Sequence, residues 1–122
     1  MTYERLKRYR ALEQRLIGIK AIINELDWLE NLPGDMPLIQ KAKLDLMRKR
    51  QNEQYNSTLN ELAELTRFIN GIRDEETKKI FILHFINGFN YGKTAEIMFY
   101  NRRTIYNRVN RYLYAQTVGK QQ

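Results

Sequence analysis

The sequence contains no cysteine, which removes disulfides and thiolate metal sites and suits a reducing cytoplasm. No apolar run approaches the roughly 18 to 20 residues that span a bilayer. Met1 is followed by the polar, basic TYERLKRYR instead of the apolar core of a signal peptide. A soluble, cytoplasmic chain is expected. Proline occurs only at Pro33 and Pro37, so long helices can run on either side of that point. The one histidine, His84, lies in an apolar stretch and reads as a packed or half-exposed residue, not as a metal ligand or catalytic base. No serine with a matched base, carboxylate pair or metal-ligand cluster is evident, so neither an enzyme nor a cofactor is expected. Acid is missing from the C-terminal end, where Glu96 is the last carboxylate and Arg102, Arg103, Arg108, Arg111 and Lys120 follow it unopposed in sequence.

What is present is helical and basic. At 122 residues the chain has room for one compact domain, or for a small domain with an extended helical element. The net charge is +7. Residues 1–70 hold twelve Lys/Arg against ten Asp/Glu, and residues 71–122 hold nine against four. A positive field at one end of a chain draws polyanions.

Tyr9, Leu12, Leu16, Ile19, Ile23 and Leu26 alternate spacings of three and four, predicting one near-heptad helix over Thr2–Glu30, about 42 Å long. Gly18 within it costs about 1 kcal/mol relative to alanine, so packing must hold the helix. Asn31–Pro37, NLPGDMP, stops it. A second long helix is predicted from Leu38 to Asn70, its apolar set starting as Ile39, Ala42 and Leu46 and shifting to Tyr55, Leu59, Leu62, Leu65 and Ile69. The polar RKRQNEQ between them, Arg48 to Gln54, reads as a solvated face. The fold class is therefore all-α: a coiled-coil-like helical hairpin over residues 1–71, then a three-helix helix-turn-helix domain over 72–122. Apolar seams on both arms predict a homodimer or higher homo-oligomer.

Asp74, Glu75 and Glu76 open the first helix of that domain, and IFILHFI, Ile80 to Ile86, is apolar nearly all round and so buried on more than one side. Asn87-Gly88 forms a turn. Asn90 caps a short helix to Met98 with Ala95, Ile97 and Met98 inward, Phe99–Asn101 turns, and Asn101 caps a longer helix over 102–114. On that helix Ile105, Val109, Tyr112 and Leu113 face the core. The opposite face suits a major groove, where arginine bonds guanine O6 and N7 and asparagine bonds adenine N6 and N7. Arg103 and Asn107 are the first choice as base readers, with Arg102, Tyr106 and Asn110 beside them. Lys93, Thr94, Thr104 and Arg111 are the expected phosphate contacts. GFNYGKT, Gly88 to Thr94, is like a phosphate-binding loop but has three residues between its glycines instead of four, and it follows a helix instead of a strand.

Asp74 to Leu113 resembles the region of bacterial sigma factors that reads promoter −35 elements. The residues that carry the likeness are IFILHFI, Gly88, Asn90-Tyr91, Ala95-Glu96-Ile97, Asn101 and Thr104-Ile105. Phe99 stands where that pattern has glycine, and Thr94 replaces a usual apolar residue. With the long helical half ending in ELAELTRFINGIRDEET, the whole chain resembles the small RinA/ArpU-type phage transcriptional regulators. The resemblance implies a sequence-specific regulator of late phage genes, working in a bacterial host cell on double-stranded DNA and in contact with host RNA polymerase. Two other readings join a helical half to such a unit: a small terminase-type DNA-packaging subunit that forms a ring, and a protein-interaction module that never touches bases.

Overall fold

The computed structural model describes the backbone of residues 1–121 and the side chains of residues 1–119. Lys120, counted above in the basic tail, lies outside the described side chains. The described residues form no strand. Their α-helices are α1 (Tyr3–Lys7), α2 (Tyr9–Glu30), α3 (Leu38–Asn70), α4 (Glu75–Phe81), α5 (Tyr91–Met98) and α6 (Arg102–Gln121), and α4 runs on as a π-helical turn over Ile82–Ile86. No helix among the described residues is long and apolar enough to cross a membrane.

The single N-terminal helix expected over Thr2–Glu30 is divided. Thr2 caps α1 by accepting from the Arg5 amide, and at Arg8 the amide bonds back only three residues, to the Arg5 carbonyl at 3.1 Å. This tightened turn separates α1 from α2. The second long helix has the expected bounds, and Pro33, Gly34 and Pro37 fill the loop before it, with Gly34 at φ 104°.

Two compact units divide the chain, Leu12–Leu62 and Met1–Ala11 together with Ala63–Gln122. Leu6, Leu65 and Ile69 are fully buried in the second of these units, so the start of the chain and the last turns of α3 belong to the core of the helix-turn-helix.

In the Leu12–Leu62 unit, Leu12, Ile19, Ile23 and Leu26 of α2 are buried as their spacing requires. On α3 the inward positions are Leu44, Arg48, Gln51, Tyr55, Thr58 and Leu62, a heptad register whose polar members conceal it. Ile39 and Leu46, taken from sequence as the start of the seam, point outward at 73% and 53% exposed. Arg48 is not merely solvated: it bridges the arms, its Nη1 lying 2.5 Å from Asp27 Oδ1 and its Nη2 2.9 Å from Glu30 Oε2.

The core of the other unit is built by Ile72, Ile80, Phe81, Phe85, Ala95, Ile105, Val109 and Leu113, all buried. Tyr112 adds its ring edge to Phe81, with centroids 5.3 Å apart, and to Phe68 at 6.1 Å. Of the residues placed inward on the short helix, Ala95 is buried and Met98 half-buried, while Ile97 is exposed. Thr94 takes the inward place instead, completely buried.

Candidate nucleic-acid interface

Three side-chain caps set the starts of α4, α5 and α6. Asp74 Oδ2 accepts from the Thr77 amide at 3.0 Å, Asn90 Oδ1 from the Lys93 amide at 2.8 Å, and Asn101 Oδ1 from the Thr104 amide at 2.8 Å. Each cap satisfies an amide that the first helical turn would leave unpaired. Between α5 and α6 the chain turns through Phe99 at φ 60° and ψ 38°, a left-handed conformation that glycine normally supplies. The turn is kept without the glycine, and Phe99 stands 93% exposed.

The seat of α6 on α4 is partly ionic. Arg108 donates to Glu76, to Asp74 at 3.0 Å and to the Thr77 hydroxyl at 3.3 Å, and its guanidinium lies 5.8 Å from the centre of the Tyr100 ring. Tyr100 also donates to Glu76. These bonds hold both carboxyls below their ordinary range, Glu76 chiefly through Tyr100 and then Arg108, Asp74 chiefly through the Thr77 hydroxyl and amide. Arg108, one of the unopposed cations of the sequence, is therefore opposed in space and committed to holding the helix.

The outer face of α6 carries Arg102, Arg103, Tyr106, Asn107, Asn110, Arg111 and Tyr114, all exposed. Among the described residues Arg102, Arg103 and Arg111 are in no ion pair, and the side chains of Arg103 and Asn107 have no hydrogen-bond partner. Asn110 donates through its side-chain nitrogen to the Tyr106 carbonyl at 2.8 Å, leaving its side-chain oxygen outward. From Arg103 to Asn110 the face advances about 10 Å, the length of about three base pairs. The five expected base readers thus share one surface with Arg111.

The expected phosphate contacts fare unevenly. Lys93 is exposed, with its ammonium 3.6 Å from Glu96 in a pair that water screens. Thr94 is removed from the interface, because its side chain is wholly buried where the sigma pattern places an apolar residue. Thr104 spends its hydroxyl proton on Asn101 Oδ1 at 2.8 Å, so it has none to donate to a phosphate while the cap is intact.

Sequence reasoning missed the aromatic ladder beside this face. His84 Nδ1 donates to the Phe89 carbonyl at 2.7 Å, which leaves Nε2 to accept from the Tyr3 hydroxyl at 2.9 Å. Tyr91 stacks on His84 with centroids 4.3 Å apart and planes 11° from parallel, and Tyr106 meets Tyr91 edge-on at 5.5 Å. Burial keeps the His84 pKa below the ordinary histidine value and, as the largest of several causes, raises Tyr91. The π-helical turn, closed by the Asn87 amide on the Ile82 carbonyl at 2.9 Å, places His84 in this stack. Tyr91, Tyr106, Arg102 and Arg103 line a shallow cleft of about 470 Å³. Among the described residues no group of three or more His, Asp or Glu is placed to hold a metal ion. No protein-family model, curated protein or solved structure matches the chain.

Proposed function

We propose that the chain is a sequence-specific DNA-binding transcriptional regulator that inserts α6 into the major groove, and that it works as a phage late-gene activator of the RinA/ArpU type. The observation that carries this reading is the outer face of α6: exposed, free of acid, and held on a helix whose start and seat are fixed by Asn101 and Arg108. Arg103 and Asn107 read base edges, Arg102, Tyr106 and Asn110 flank them, and Lys93 and Arg111 hold phosphates. Activation adds contact with host RNA polymerase.

Self-association through the hairpin, with a second copy of the chain as its partner, completes the reading. Ile17 and the 64%-exposed Trp28 on α2, and Ile39 and Leu46 on α3, leave apolar surface that a solitary hairpin has no use for. The seam between the arms is correspondingly lean, with Arg48, Gln51 and Thr58 at inward positions. A dimer carries two reading helices to half-sites about one DNA turn apart, or a multiple of it.

Selection of bound sequences from a random duplex pool tests the function. The wild type is expected to enrich one motif, with affinity falling steeply as salt rises, and Arg103→Ala with Asn107→Ala to lose the motif while staying folded. A double variant that enriches the same motif overturns the assignment of the reading face. Mass in solution separates the regulator, a dimer, from the ring expected of a packaging subunit.

A further inference from the structure

The groove-facing surface does not end with the helix-turn-helix. Tyr3 of α1 is bound to the reading unit by its hydroxyl on His84 and by its ring edge on Phe85, with centroids 5.3 Å apart. It lines two adjoining grooves. One runs from Tyr3 and Glu4 past Tyr91 to Tyr106 and Asn110 on α6. The other, about 240 Å³, runs from Tyr3 past Lys7 and Arg10 to Gly88 and Asn90, the cap of α5. Tyr3, His84, Tyr91 and Tyr106 thus form a continuous run of rings from α1 to the reading helix.

Lys7 and Arg10 flank the cap of α5, and both are exposed. Neither is in an ion pair among the described residues. Arg10 lies over Gly88 so closely that a methyl group there would collide with its side chain. Gly88, at φ 75°, therefore serves both the turn and the approach of this arginine. In a helix-turn-helix the helix before the reading helix crosses the sugar-phosphate backbone. That helix is α5, and a strand passing its start meets Lys7 and Arg10 next.

We infer that Lys7 and Arg10 form a phosphate clamp that carries the DNA contact beyond the reading unit onto the first residues of the chain, with Tyr3 as the latch holding them in place. The clamp rests on the reading of α6 as the groove-inserted helix. It adds no sequence information, because phosphates are alike along the duplex. Glu4, on the same segment beside Tyr106 and Asn110, opposes the polyanion and tempers the contact.

The test compares Lys7→Gln with Arg10→Gln, as one double variant, and Glu4→Gln separately, against the duplex selected by the wild type and a scrambled duplex. The double variant is expected to bind both duplexes about tenfold more weakly at about 0.1 M salt, with the salt slope smaller by about 1 to 2. Glu4→Gln is expected to bind both more tightly, a change of sign that partial unfolding would not produce. Wild-type affinity and slope in the double variant overturn the clamp and leave the reading helix standing. An altered preference between the two duplexes also overturns it, since a phosphate contact is blind to sequence. A wild type that binds neither duplex removes the reading helix and the clamp together.

Discussion

Replacing Thr94 by valine should stabilise the protein and leave its DNA affinity untouched. The Thr94 side chain is completely buried, and its hydroxyl oxygen has no hydrogen-bond partner among the described residues. A buried hydroxyl that has given up water without a replacement costs about 1–3 kcal/mol. Valine has nearly the same shape and the same helix propensity, so the substitution opens no cavity and leaves the helix term unchanged. A gain of about 1–2 kcal/mol follows, which for a chain of this length raises Tm by about 4–8 °C. Thr77 is the control. It is also buried, but its hydroxyl donates to Asp74 at 2.5 Å and accepts from Arg108 at 3.3 Å. Thr77→Val should cost about 1 kcal/mol and lower Tm. Thermal melts followed by circular dichroism, with duplex binding on the same samples, measure both effects. A Thr94→Val chain that melts at or below the wild-type temperature refutes the unpaired hydroxyl. One that melts higher but loses DNA affinity refutes the removal of Thr94 from the interface.

Phe99→Gly should also raise Tm, corresponding to about 0.5–1 kcal/mol, because left-handed strain of about 1–2 kcal/mol is relieved and glycine's extra chain entropy cancels only part of it; a lower Tm would show that the exposed phenylalanine is not strained there. Stability should fall as the solution is acidified through the histidine range. The folded pKa of His84 lies below its unfolded value of 6.5, so its contribution is complete above that value and is lost as the pH falls toward the folded pKa. His84 is the only histidine, so its ring-proton resonances report the folded titration directly, and a midpoint at or above 6.5 would contradict the burial described. At lower pH still, protonation of Glu76 and Asp74 releases Arg108 and loosens α6, since both carboxyls ionise more readily folded than unfolded.

What the sequence made legible was local. Asp74, Asn90 and Asn101 each cap through an amide three residues on, and Ile105, Val109 and Leu113 repeat at helical spacing, so the positions that matter are neighbours in the chain. The α3 seam was misread for the converse reason. Its inward register passes through Arg48, Gln51 and Thr58, so an apolar count follows Ile39 and Leu46 onto the outer face. Contacts across the chain left no periodic trace at all. Arg108 meets Glu76 and Asp74, 32 and 34 residues earlier, and Tyr3 meets His84 across 81 residues. These two long-range contacts change the functional reading most. The first removes a cation from the field that the sequence assigned to the tail, and the second brings Lys7 and Arg10 to the start of α5. Charge counted along the chain is thus a poor guide to charge on a face. The acid-free tail overstated the charge on the outer face of α6 by Arg108, while the near-neutral first seventy residues concealed two cations beside the start of α5.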